Sequence, residues 1–429
     1  MTFDSMPRRT FLALTASGIA SRAFGFAEPV TGTAHPDLAP FDILMTSFVE
    51  QNKVPGASLA VTRGGKLVYA RGFGFSDVEN KEAVLPESLF RIASVSKPLT
   101  AVAILQLAEK GKLKLDDLVM DHLKVKSVAY PNSKFDERWK KITIRHCLQH
   151  TGGWDRDKSF DPIVRALAIA KALKIEPPVG PDHLVQYMLG QPLDFDPGES
   201  YAYSNLGYLV LSRILETITG QKYEAHMKKV VLEPLGIKKA RLGRALAENR
   251  AKGEVKYYDA KNRMGPGLYP PMLDKQVPIQ YGASNLEAYE AHGGWIASSV
   301  ELVKFASAFD DSQKSPLLSA KSIAAMWAAP TGEPGHDKDG KPKASFYGCG
   351  WQVRPIGTAG KANTWHTGYI PGSEAILVRR SDGLNWAVLF NTANNPDGKS
   401  LAGLIDGKVH EAANEVKRWP TVNLFAKYL

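Results

Sequence analysis

Cysteine is nearly missing from this chain, with two in 429 residues, Cys147 and Cys349. Both sit in apolar settings, IRHCLQH and FYGCGW, so buried free thiols are expected rather than a disulfide framework. No C-x-x-C and no H-E-x-x-H is present. His146, Cys147 and His150 share helical spacing, but no second ligand pair answers them, which argues against zinc. No metal and no cofactor is predicted. An uninterrupted apolar run of roughly eighteen residues is also lacking, so no stable membrane span is expected. Low-complexity tracts and internal repeats are absent. The elbow G-x-S-x-G is missing too, which disfavours an α/β-hydrolase fold. Finally, no lysine-arginine block occurs. The net charge of +10 comes from basic residues dispersed in stretches such as KVVLEPLGIKKARLGR, which excludes nucleic acid as the expected partner. Such a surface suits solution among anionic envelope polymers.

What is present begins at the N-terminus. MPRRTFLALTASGIASRAFGFAEP pairs Arg8-Arg9 with Phe11-Leu12, then a short run of small and apolar residues, then Gly25-Phe26-Ala27 as a cleavage candidate. This pattern predicts a twin-arginine export signal over residues 1–27 and a periplasmic or secreted mature protein. With that segment removed the chain is still basic, and residues 38–429 are long enough for a large core.

PGASLAVTRGGKLVYARGFGFSDVEN reads as a hairpin turning at Gly64-Gly65, after a short helix around Phe41–Gln51. LTAVAILQLAEKGKLKLDD predicts a helix buried nearly all round and stopped by Gly111. From about Asp116 to Ala291 helical patterns dominate, clearest in NLGYLVLSRILETITG. The proline-rich MGPGLYPPMLDKQVP is expected to be an irregular surface loop, and TGEPGHDKDGKPKAS a second, mobile one. Ser298 and Glu301 form a capping-box pattern ahead of an amphipathic helix. Strand-like runs follow in FYGCGWQVRPI, HTGYIPGSEAILVRR and NWAVLFNTA, with a last helix over 399–417. Strands at both ends and helices between predict an α/β (α+β) architecture: an antiparallel sheet built from about 38–93 and 292–429, flanked by helices, with a mostly helical insertion over about 94–291.

The stretch RIASVSKPLT carries the chemistry. A serine hydroxyl is a weak nucleophile until a base adjoins it, and on a helix Ser94 and Lys97 share one face. Pro98 is tolerated only near a first helical turn, so the helix must begin close to Ser94, where free N–H groups favour developing negative charge. ESYAYSNLGY offers a second group, Tyr203 with Asn205, opening a strong helix after the turn signal DPGE. A rival Y-x-N lies at Tyr130-Pro131-Asn132 in a polar loop. WHTGYIPG offers a third: Gly368 lets a strand backbone approach closely, and the N–H of Tyr369 can then face an oxyanion.

In that order, S-x-S-K at 94–97, Y-S-N at 203–205 and H-T-G at 366–368 resemble the three motifs of the class C β-lactamase-like serine hydrolases, which include DD-peptidases and family VIII carboxylesterases. VPGASLAV, LFRIASVSK, ITIRHCLQHTGG and YGCGWQV are similar to family blocks as well, so the likeness runs from about Phe41 to the C-terminus. The resemblance implies a β-lactamase/transpeptidase-like fold and an acyl-enzyme mechanism. It implies Ser94 as nucleophile, Lys97 and Tyr203 sharing the proton transfers, and Asn205, His366 and Thr367 lining the substrate. Gly368 and the N–H groups of Ser94 and Tyr369 would then form the oxyanion hole. The expected substrate is a small ester or amide, or a cell-wall peptide, with D,D-peptidase, β-lactamase or a slowly acylating penicillin-binding protein as the other readings. One departure stands out: His366 replaces the lysine usual in β-lactamases of this class, removing a permanent cation and favouring esters or D-amino-acid peptides over β-lactams.

Overall fold

The computed structural model describes residues 29–357 and 361–429. The proposed export signal lies outside the described residues. In chain order the strands are β1 Val30–Gly32, β2 Gly56–Arg63, β3 Lys66–Asp77, β4 Glu82–Ala83, β5 Phe90–Arg91, β6 Arg241–Leu242, β7 Met264–Pro266 and β8 Gln276–Pro278. They continue as β9 Trp295–Ala297, β10 Phe346–Tyr347, β11 Gln352–Pro355, β12 Ala362–Ile370, β13 Ser373–Arg379 and β14 Leu384–Phe390. Among the described residues a nine-stranded antiparallel sheet runs β1-β3-β2-β14-β13-β12-β11-β10, with β4 on β3. Its centre is the junction of the two chain ends, where β14 pairs β2 with Val388 opposite Leu59. The hairpin between β2 and β3 turns at Gly64-Gly65, both with positive φ (53° and 75°), which glycine adopts without Cβ strain.

Period-2 alternation sorts the sheet's side chains into two layers. Leu59, Val61, Ile376, Val378, Trp386 and Val388 face the helices Ala39–Gln51 and Leu401–Glu415. Ala60, Ala70, Ala375 and Ala387 belong to the core on the opposite face, with Leu377 and Leu389. Small residues there let the helix Ser299–Ser307 lie close, and Ser58 Oγ meets Ser299 Oγ at 2.7 Å. That helix starts at the capping box read from the sequence: Ser298 Oγ accepts from the Glu301 N–H and Glu301 accepts from the Ser298 N–H. The helix Ser96–Glu109 is buried from Ser96 to Leu107, as its unbroken apolar pattern predicts. Beyond it lie the helices between Val119 and Gly293, chief among them Asn205–Thr219, closed by Gly220 in the left-handed region (φ 66°).

The proline-rich stretch corrects its expectation. Rather than an irregular surface loop it forms a two-stranded ribbon, β7 with β8, in which Met264 faces Pro278 and Pro266 faces Gln276. Pro266 and Pro278 stand at strand ends of an isolated pair, where the missing N–H is tolerated, Pro270 and Pro271 lie in the connection, and Leu268 between the strands is buried. Cys147 and Cys349 are both buried free thiols, and burial pushes Cys349 up to about 12.

Candidate active site

Ser94 sits in a 3-10 turn, Ala93–Val95, directly ahead of the helix Ser96–Glu109, with Pro98 in that helix's first turn. Ala93 takes a left-handed φ of 46°, a strained conformation for a residue bearing Cβ. Neighbouring bonds hold it there. Ser96 Oγ donates to the Ala93 carbonyl at 2.6 Å, the Ile92 N–H donates to the Trp295 carbonyl at 3.0 Å, and Ser373 Oγ donates to the Arg91 carbonyl at 2.7 Å.

Lys97 is fully buried. Its Nζ lies 3.1 Å from Ser94 Oγ, 2.8 Å from Asn205 Oδ1 and 2.9 Å from the His292 carbonyl oxygen. Burial holds its pKa well below the ordinary lysine value, and the Arg156 charge adds to that while Asp161 opposes it. These three oxygens match the three hydrogens of the ammonium; in the neutral form the two carbonyl oxygens, which can only accept, would take both hydrogens and leave the lone pair to Ser94.

Tyr203 comes from the extended segment just before the helix Asn205–Thr219. Its ring centroid is 4.7 Å from Lys97 Nζ, 4.9 Å from the Arg156 guanidinium carbon and 4.3 Å from the His150 ring. Burial pushes the phenol above its usual value, and hydrogen bonding to Ser94 and the Arg156 charge pull against that. His150 fixes the segment by accepting the Ser204 N–H at Nδ1, 3.2 Å away. The rival motif resolves otherwise. Tyr130 stacks on Tyr187 at 4.6 Å between centroids and donates to the Tyr187 carbonyl at 2.6 Å.

The third motif lies on β12, which packs against the Ser94 turn. A Cβ built on Gly368 would stand 2.1 Å from the Ile92 carbonyl oxygen and 3.1 Å from the Ser94 nitrogen, so only glycine allows this approach. Thr367 and Tyr369 alternate outward and are exposed, and the Tyr369 hydroxyl donates to Asn394 Oδ1 at 3.1 Å. His366 points inward and is buried. Burial and the Lys97 charge lower its pKa to about 3. Its Nδ1 bonds the Thr367 carbonyl at 2.7 Å and its Nε2 the Tyr347 hydroxyl at 2.9 Å. A carbonyl only accepts, so the proton resides on Nδ1 and Tyr347 donates to Nε2. Both ring nitrogens are engaged, and the ring is neutral.

The geometry thus joins Ser94, Lys97, Tyr203 and Asn205 in one cluster, with β12 from His366 to Tyr369 along its edge. Sequence reading missed three contributors. Asp161 Oδ2 accepts from Asn205 Nδ2 at 2.7 Å and orients that amide; burial raises its pKa. The His292 carbonyl anchors Lys97, and Arg156 covers Tyr203. The only signal for Asp161 was its place before Pro162, where it caps a 3-10 turn. A backbone carbonyl leaves no signal at all.

A serine-bearing helix start buried against an antiparallel sheet, with a lysine, a tyrosine and an amide around one serine, defines the serine β-lactamase-like class. A profile described as Beta-lactamase matches residues 41–409, and the chain belongs to that family, whose members are serine hydrolases. Among sequence relatives, protein flp of Staphylococcus aureus (strain COL) is 29% identical over 194 residues, 45% of this chain and 36% of that protein. The chain thus spans about a third of the length of flp. Penicillin-binding protein 4* of Bacillus subtilis (strain 168) is 26% identical over 353 residues, 79% of this chain and 68% of that protein. Two solved structures share the fold. EstCE1, a hydrolase with promiscuous acyltransferase activity, has TM-score 0.66 at 19% identity, covering 88% of this chain and 98% of its own. The D-amino acid amidase of Ochrobactrum anthropi SV3 has TM-score 0.65 at 20% identity, covering 89% and 99%.

Proposed function

We propose that this protein is an exported serine hydrolase that cleaves carboxylic esters or related amides through an acyl-enzyme on Ser94. The observation that carries the reading is the buried Lys97 amine, with both carbonyl acceptors satisfied and its third contact at 3.1 Å on Ser94 Oγ. Burial depresses Lys97 and raises Tyr203. A neutral amine is therefore far more accessible near pH 7 than a phenolate, which favours Lys97 as the first base.

In the proposed cycle the Ser94 proton passes to Lys97 Nζ as Oγ bonds the substrate carbonyl carbon. The oxyanion that forms faces the N–H groups of Ser94 and Tyr369. The leaving group then departs with a proton from the Tyr203 hydroxyl, which Lys97 replenishes. Water repeats the sequence on the acyl-Ser94 ester and frees the acid. The neutral His366 supports esters or D-amino-acid amides over β-lactams, since no permanent cation stands at that place to hold a β-lactam carboxylate. Export rests on the Arg8-Arg9 signal pattern.

The test is turnover of a chromogenic short-chain ester, a chromogenic cephalosporin and a D-Ala-D-Ala peptide by wild type and Ser94→Ala. Ester hydrolysis lost in Ser94→Ala by at least about a thousandfold is expected. Full activity in that variant on every substrate attacked would refute the site. Stable labelling by fluorescent penicillin without turnover would instead favour a binding protein.

A further inference from the structure

The charges around the cleft are unevenly neutralised. Arg263, beside Tyr369 on the β12 side, donates to the Asp259 carboxylate at 2.6–3.2 Å and is matched there. Lys97 is enclosed, and His366 carries no charge. Arg156 differs from all three. It makes no hydrogen bond to another described residue, and the one carboxylate within 4.0 Å is Asp157 at 3.9 Å, itself 91% exposed. Asp161 faces it at longer range but is engaged by Asn205 and by the Ile163 N–H. The Arg156 side chain is 43% exposed while its guanidinium rests on the Tyr203 ring, so it is turned both to solvent and to the reacting cluster.

A planar guanidinium with unused N–H donors is shaped for a carboxylate, which it holds through two parallel hydrogen bonds. Lying over the Tyr203 ring at 4.9 Å restrains it before a ligand arrives, which lowers the entropy lost on binding. Resting on the acyl-enzyme reading, we propose that Arg156 is the anion-recognising residue of this cleft and binds a carboxylate carried by the ester or amide substrate. Charge recognition is thereby moved from β12, where His366 is neutral, to the segment that follows His150. The preferred substrates are monoesters or amides bearing a free carboxylate rather than neutral esters.

The experiment measures kcat/KM of the full chain for two matched pairs. One pair is p-nitrophenyl monoglutarate against p-nitrophenyl valerate, with the charge on the acyl side. The other is 3-acetoxybenzoate against phenyl acetate, with the charge on the leaving group. In Arg156→Gln the charged-to-neutral ratio is expected to fall about tenfold for at least one pair, with Arg156→Lys retaining part of the preference. In wild type the preference should shrink as salt is added. Ratios unchanged for both pairs, with charged and neutral substrates falling in parallel, would overturn the proposal and leave Arg156 a support for Tyr203. A second readout separates this from failure of the acyl-enzyme reading. The two charged esters are titrated by calorimetry into Ser94→Ala with and without Arg156→Gln. About tenfold weaker binding of either in the double variant supports Arg156 even if no ester is turned over, and equal binding of both overturns it.

Discussion

At the scale of single residues, the chemistry depends on where charge is denied. Lys97 is buried among Ser94, Asn205 and the His292 carbonyl, with no carboxylate of the described residues within salt-bridge distance, so the protein shifts it toward the neutral form. The sign for activity follows. A base with a lowered pKa is competent below the pH at which an ordinary lysine would be. kcat/KM for a neutral ester should therefore rise with pH along a limb whose midpoint lies well below the usual 10.5. A pH–rate profile checks this, and a midpoint near 10.5 would contradict Lys97 as first base. Ser94, Lys97, Tyr203 and Asn205 could be picked out in the sequence because each is a polar residue in a short pattern with few bland explanations when the patterns co-occur. Arg156, Asp161 and His292 could not. Their contributions come from packing between distant segments, and one of them acts through its backbone.

At the scale of elements, the approach of β12 to the Ser94 turn decides whether two N–H groups face one point. Gly368 sets that approach, since a methyl there meets the Ile92 carbonyl at 2.1 Å. Gly368→Ala should push strand and turn apart and lower kcat about a hundredfold, the scale of losing one oxyanion donor, while the chain still folds. Steady-state kinetics beside a circular-dichroism melt separates the two effects; a wild-type kcat would show that Gly368 has no part in the hole. Elements with strong local signals matched their reading: the capped helix at Ser298, the Gly64-Gly65 hairpin and the helix ending at Gly220. The β7–β8 ribbon departs from the loop that its proline content predicts, because what matters is the position of each proline in the pair. Whether Pro266 or Pro278 needed a donor depends on the partner strand, which no local pattern reveals.

At the scale of the whole molecule, the helical stretch after Ser94 has no core of its own. One continuous apolar cluster joins its Leu184, Leu211 and Ile214 to Ala60, Ala375 and Leu389 of the sheet through the buried helix Ser96–Glu109. Helical and sheet regions should therefore unfold together, giving coincident urea transitions by far-ultraviolet circular dichroism and tryptophan fluorescence. Two resolved transitions would show that the insertion is an independent unit.

The sequence by itself determined the alternations, caps and turns that make an antiparallel sheet from both chain ends, and it marked the three polar motifs, because those signals are local. Only the tertiary structure decided how each charge is housed. Burial lowers both Lys97 and His366, and among the described residues Arg156 has no carboxylate closer than the exposed Asp157 at 3.9 Å, while the buried Asp161 is engaged by Asn205. Burial and charge separation are properties of distances between segments far apart in the chain, and a linear pattern does not contain them.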